Sequence, residues 1–276
     1  MNALTEFDTV LDGLDGRFSV WCGRPGSTPF HRREADTPHY PASTMKIGVM
    51  AAAYRLADTG ELDLDAEIPV HNAFTSAVGG EFTMDPDYDS DPQVWERLGS
   101  TAPLRWLIRR MIVRSSNLGT NLVLEQVGPD AAQEAYTACG ANNSVTRRGI
   151  EDYRARDGGA DNHVTAGDLA RQLSAIHLGT LASTAACREM IEVLRAQELN
   201  TDFATGLPAG TPLALKNGWI EGVRHSAAII EPPDAPAFVL TACATSPLAM
   251  SENGDDPVCH AYGRLAALAW DLRHEL

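Results

Sequence analysis

Residues 41–51 read Pro41-Ala42-Ser43-Thr44-Met45-Lys46-Ile47-Gly48-Val49-Met50-Ala51. From Pro41 to about Asp58 the pattern is helical, with a proline near the start and Gly60 just beyond the end. A separation of three residues places the Ser43 hydroxyl and the Lys46 amine on one helix face, one turn apart. A serine at a helix N-terminus also meets the positive end of the dipole and free backbone N–H groups able to hold an oxyanion. A neutral lysine beside it can take the hydroxyl proton.

Composition sharpens this reading. The chain has 22 lysines and arginines, yet only Lys46 and Lys216 are lysines. Lysine can lose its proton when burial or a neighbouring cation lowers its pKa, whereas arginine effectively cannot. Two lysines in a chain that otherwise uses arginine therefore ask for a chemical explanation. Lys216 stands in Leu215-Lys216-Asn217-Gly218-Trp219 at the end of a strand pattern, and Arg114-Ser115-Ser116-Asn117 fills a short break between two helical patterns.

Working outward, Leu4, Phe7, Val10, Leu11 and Leu14 recur at helical spacing, and Phe18 to Cys22 reads as a strand. Glu81 to Pro92, rich in Asp and Pro, reads as loop. Leu104–Val113, Asn121–Val127, Asp130–Cys139, Thr165–Ile176 and Ser183–Ala196 read as helices, and residues 142–162 as a long surface loop. Leu213–Lys216, His225–Ile230 and Ala237–Cys243 read as strands, and Tyr262 to Leu272 as a closing amphipathic helix. The expectation is an α/β (α+β) fold. An antiparallel sheet flanked by terminal helices comes from residues 1–34 and 200–276, and an all-α subdomain, 35–199, is inserted between them.

The three elements around Ser43, Ser115 and Lys216 resemble the S-x-x-K, S-D-N and K-T-G motifs of active-site-serine β-lactamases and penicillin-binding proteins. The resemblance covers nearly the whole chain and is closest to class A β-lactamases. It implies Ser43 as the acylated nucleophile, Lys46 as proton acceptor, Ser115 as relay to the departing amine, and Lys216 as the source of a positive field. It further implies that Asn117 grips the acylamide group and that the Ser43 and Trp219 N–H groups form an oxyanion hole. Asn121 resembles the asparagine that steadies the loop carrying the deacylating acid. Arg224 resembles an arginine that binds a substrate carboxylate, with a solvated strand arginine as the alternative.

Three positions depart from the pattern. Ser116 stands where many relatives have aspartate, and Asn217 replaces a hydroxyl residue, leaving an amide that could still donate to a carboxylate. In the loop, counting on from Arg147 without gaps gives Asp152 as the deacylating acid, and one deletion gives Glu151. Glu151 is preferred for its longer side chain.

The remaining features mostly exclude. A formal net charge of −15 makes nucleic acid and membrane surfaces poor partners and leaves a small-molecule substrate. The five cysteines are scattered without C-x-x-C spacing, so reduced buried thiols are expected rather than a disulfide framework or zinc site. No cofactor or metal is implied. The eight histidines, including His225, form no catalytic motif and read as structural or surface residues. The N-terminal residues show no secretory signal, so a cytoplasmic location is expected, or a secreted one for a chain whose leader has been removed. The resemblance also implies a monomer.

The function expected is β-lactam hydrolysis through an acyl-enzyme at Ser43. An esterase or amidase acting on a small cytoplasmic metabolite is the main alternative. A D-alanyl-D-alanine peptidase and a non-catalytic ligand-binding relative rank below it.

Overall fold

The computed structural model describes residues 2–250 and 254–276. Its sheet is built from strands β1 (Arg17–Gly23), β2 (His31–Arg33), β7 (Leu213–Ile220), β8 (Val223–Ile230) and β9 (Phe238–Thr245), all antiparallel, in the order β2-β1-β9-β8-β7. Both faces of the sheet are covered, so the central strands read as apolar runs rather than clean alternations. The period of two survives in what each residue touches. Phe238, Leu240, Ala242 and Ala244 of β9 pack with helices α1 (Ala3–Asp12) and α9 (Pro257–Asp271), whereas Val239 and Cys243 pack with the helical layer.

That layer runs α2 (Lys46–Thr59), α3 (Pro92–Trp95), α4 (Leu104–Val113), α5 (Asn117–Ala138), α6 (Tyr153–Asp157), α7 (Ala166–His177) and α8 (Thr184–Arg195). Helix α2 is buried from Lys46 to Tyr54, which explains why its apolar residues circle the helix instead of forming a stripe. Gly48 admits α5 closely, since a Cβ there would lie 2.6 Å from the Tyr136 ring. The stretch labelled α5 is interrupted at Gly128 (φ 75°, ψ 158°) before Pro129, so the two helices read from the sequence are both present, the first beginning earlier, at Asn117.

The middle of the chain is not purely helical. Strands β3 (Glu67–Pro69) and β6 (Thr101–Pro103) pair, as do β4 (Phe74–Thr75) and β5 (Glu81–Phe82), the last falling in the stretch read as loop. Such pairs of two or three residues are too short to show a hydrophobic period. Strand β7 continues four residues past Lys216, and β8 begins two residues before His225, joined by a Glu221–Gly222 turn with Gly222 at φ 80°. Residues 142–162 are more than a surface loop. Ser144, Thr146, Arg148, Asp152 and Asn162 are buried, and α6 forms within the segment. Among the described residues no helix is long and apolar enough to cross a membrane.

Candidate active site

Ser43 lies on a 3-10 turn, Ala42–Met45, and the α-helix proper begins at Lys46. The helix expected to open at the serine therefore opens three residues later, with the same one-turn spacing. Ala42 holds a left-handed φ of 43° immediately before the serine. The approach to this turn is pinned to the sheet by two histidines. His39 bonds Ser19 Oγ (2.9 Å) and Thr245 Oγ1 (2.8 Å), and His225 Nε2 donates to the Tyr40 carbonyl at 2.7 Å. Burial keeps both rings neutral, His39 near 3 and His225 near 4, with His225 itself adding to the depression at His39.

Strand β7 is the sheet edge that closes on Ser43. A Cβ on Gly218 would sit 2.5 Å from the Ser43 backbone nitrogen and 3.0 Å from that of Thr44. Only glycine allows this approach, which an oxyanion hole made from the Ser43 and Trp219 N–H groups requires. Ser43 itself is half-buried and lines a cavity of about 540 Å³ together with Ser115, Asn117, Ile150, Glu151 and Trp219.

Both lysines are fully buried and converge on Ser115. Lys46 Nζ donates to the Ser115 carbonyl (2.6 Å), Asn117 Oδ1 (2.8 Å) and Ser115 Oγ (3.2 Å). Lys216 Nζ reaches Ser115 Oγ at 3.1 Å and the Asn217 carbonyl at 2.7 Å. Burial pulls Lys46 down to about 7, with the Asp89 carboxylate opposing. Lys216 is pushed well below the ordinary lysine value by burial and by Lys46, against Asp202. Ser115, at φ 59°, occupies the break between α4 and α5. Of the four non-glycine residues with left-handed backbone among the described residues, Ala42, Ser115 and Glu151 line this cavity, a clustering typical of functional sites.

Ser116, at the departure from the motif, caps α5 by accepting from the Gly119 N–H at 3.0 Å. A carboxylate is nevertheless present. Asp89 Oδ2 accepts from the N–H groups of Asn117 (3.0 Å) and Leu118 (2.8 Å), from Ser116 Oγ (3.3 Å) and from Trp95 Nε1 (2.9 Å). Sequence reading missed Asp89 because it comes from the acidic loop rather than from the motif. Asn117 is held at both ends, by Lys46 and by its own Nδ2 donating to the Tyr88 carbonyl at 2.8 Å.

Asn121 clasps the following loop, its amide exchanging hydrogen bonds with Ile150 N (2.8 Å) and Ile150 O (2.9 Å). Arg148 pairs with Asp161 at 2.8 Å and closes the loop on itself. The two carboxylates weighed as the deacylating acid separate here. Glu151 lines the cavity, and its Oε2 accepts from the Asp85 N–H at 2.9 Å. Burial raises its pKa, that N–H opposes, and the charges of Asp85 and Asp89 add to the rise. Asp152 faces inward, fully buried, accepting from Ser76 Oγ (2.8 Å), Ala77 N (2.9 Å) and Ala155 N (3.1 Å) as the cap of α6.

Two expected binding residues stand differently. The Asn217 amide donates to Leu199 O (2.6 Å) and Asp202 Oδ2 (3.3 Å) and does not line the cavity. Strand alternation is the reason: Lys216 and Gly218 face the serine, so Asn217 points to the other side. Arg224 reaches the cavity wall but is neither solvated nor without counter-charge. It is buried, with Nη1 2.9 Å from Asp202 Oδ1 and Nε 3.4 Å from Asp256 Oδ2.

The model of the beta-lactamase enzyme family matches residues 3–272. No curated protein sequence matches the chain. Among solved structures, PBP-A superposes with a TM-score of 0.82 at 16% identity, covering 99% of this chain and 96% of that one. A variant of PBP-A, solved as an acyl-enzyme complex with penicillin G, gives 0.81 at 18% identity, covering 99% and 96%. A beta-lactamase from Sphaerobacter thermophilus gives 0.81 at 23% identity, covering 99% and 97%. Identities of this order establish a shared fold, that of class A beta-lactamases.

Proposed function

Because the chain belongs to the beta-lactamase enzyme family, we propose that it is a serine hydrolase that opens acyl bonds at Ser43, the β-lactam amide among them. The observation that carries this reading is the convergence of two buried, depressed lysines on Ser115 Oγ, beside the half-buried Ser43. Near neutral pH a large share of Lys46 is uncharged and able to accept a proton. Its Nζ swings from Asn117 Oδ1 toward Ser43 and takes the hydroxyl proton as Oγ attacks the carbonyl. The oxyanion is held by the Ser43 and Trp219 N–H groups. As the tetrahedral species collapses, Ser115 Oγ passes its proton to the leaving nitrogen and regains one from Lys46 or Lys216. Glu151 then draws a proton from water attacking the acyl-enzyme, the bond to Ser43 Oγ breaks, and that proton returns to Oγ as the acid product leaves. That half-reaction requires its carboxylate to exchange the Asp85 N–H for the water.

PBP-A, whose fold this chain shares, has been captured in variant form as a penicillin G acyl-enzyme, which supports β-lactams as acylating agents here. A second reading, hydrolysis of a small ester or amide, is favoured by the pairing of Arg224 with Asp202 and Asp256 and by the turn of Asn217 away from the cavity. The test is steady-state hydrolysis of a chromogenic cephalosporin together with intact-protein mass, on the protein and on Ser43→Ala. Turnover or a covalent adduct lost in the variant supports acyl transfer at Ser43. Turnover retained by Ser43→Ala overturns it.

A further inference from the structure

The cavity wall made by β7, β8 and their turn carries little usable positive charge. Asp202 and Asp256 flank the Arg224 guanidinium, and Cys259 Sγ also reaches Asp202 Oδ1 at 3.2 Å. A substrate carboxylate at Arg224 would be the third negative group on one cation. The Asn217 amide faces away, and buried Lys216 is bonded to Ser115 and to the Asn217 carbonyl. At the turn, the exposed Glu221 lines the cavity and has no ion-pair partner among the described residues. The exposed Asp87 also lines the cavity, and Arg148 is engaged by Asp161. The whole chain, at −15, adds a field of the same sign.

The same mouth is apolar. Of the seven exposed large hydrophobic residues among those described, four line this cavity: Tyr88 (70% exposed), Met250 (72%), Tyr153 (50%) and Ile220 (50%). Scattered exposed hydrophobics need no explanation, but a cluster around a single concave site marks a binding surface.

On the acyl-enzyme reading the leaving group lies beside Ser115, next to β7. Ser115 Oγ hands it a proton, and Lys216 of β7 bonds that oxygen at 3.1 Å. Resting on the acyl-enzyme reading above, we infer that the cavity takes acyl donors whose leaving group is apolar and neutral or cationic, and discriminates against a carboxylate there, so that penicillins and cephalosporins, whose leaving nitrogen adjoins a carboxylate, are among its slower donors. Glu221 and the doubly paired Arg224 set that preference.

The experiment compares the 4-nitrophenyl and 3-carboxy-4-nitrophenyl esters of phenylacetic acid, each corrected for its hydroxide-catalysed rate, with the adduct mapped to Ser43 by mass spectrometry. The neutral donor is expected to have the higher kcat/KM by about tenfold at low salt, a gap that narrows as ionic strength rises. Glu221→Gln, an exposed change, should narrow the gap about two- to threefold, and Glu221→Lys should narrow it further. Equal or faster reaction of the carboxylated donor overturns the inference, as does a gap indifferent to salt and to both Glu221 variants. Failure of both donors to label Ser43, in the protein and in Glu151→Gln alike, overturns the acyl-enzyme reading beneath it, a result distinct from either.

Discussion

Lys46 and Lys216 place their ammonium nitrogens on the same hydroxyl oxygen, 3.2 and 3.1 Å from Ser115 Oγ. Both are depressed below an ordinary lysine, Lys46 by burial and Lys216 by burial and by the neighbouring Lys46 charge. Acylation of Ser43 should therefore rise with pH through about 7 and then level as Lys46 becomes neutral. Pre-steady-state acylation rates between pH 5 and 9 check this, and Lys46→Arg, which cannot become a neutral base, should remove acylation. A rate independent of pH across that range would count against Lys46 as the base.

The same depression makes Lys46 a cost to the fold. Its folded pKa lies near 7, below the ordinary value of 10.5, so between those limits the unfolded chain binds more protons than the native one. Stability from this group is fully present above the ordinary value and is lost as pH falls toward 7. Lys46→Met should abolish acylation while stabilising the protein at pH 6–7 by about 1–3 kcal/mol, with a flatter rise in stability toward alkaline pH. Denaturant titrations at pH 6.5 and 9.5 measure both effects.

Asp89 couples a helix cap to Lys46. It accepts from the Asn117 and Leu118 N–H groups at the start of α5, and its charge supports the protonated form of Lys46. In Asp89→Asn the Lys46 pKa should fall, moving the acidic limb of the acylation profile to lower pH. The lost charge on the cap should cost about 1–2 kcal/mol of stability. A limb that stays in place would show that Asp89 acts on the fold alone.

Glu151 and Asp152 are adjacent but face opposite ways, one lining the cavity and one capping α6. Glu151→Gln should leave the melting temperature nearly unchanged and let the acyl-enzyme accumulate, seen as a lasting mass increase after exposure to substrate. Asp152→Ala should instead destabilise by about 2–4 kcal/mol, because the buried Ser76 hydroxyl and Ala155 N–H, together with the Ala77 N–H, lose their acceptor. The opposite pattern would reverse the two roles.

Gly218 offers a test of the oxyanion geometry. In Gly218→Ala the new methyl would meet backbone atoms of Ser43 and Thr44, so β7 must shift away from the serine. A loss of about 10²-fold in acylation is expected, with a smaller change in KM.

The one-turn spacing of Ser43 and Lys46, the scarcity of lysine, and the order of the main helices and strands were legible from residue types and spacing alone. Each rests on local rules: one helical turn between two side chains, apolar residues at periods of 3.6 or 2, and a base that must be able to lose its proton. Spacing along one helix cannot reveal what lies across a cavity. That Ser115 joins the two lysines, that Asp89 comes in from an acidic loop to cap α5, and that Arg224 is held between Asp202 and Asp256 are contacts between residues far apart in the chain. Asp152 is taken up by Ser76, Ala77 and Ala155 while Glu151 lines the cavity, a division made by contacts across the loop that composition does not encode. Local chemistry thus determined which residues could react, and long-range packing decided which of them line the cavity and with what charge.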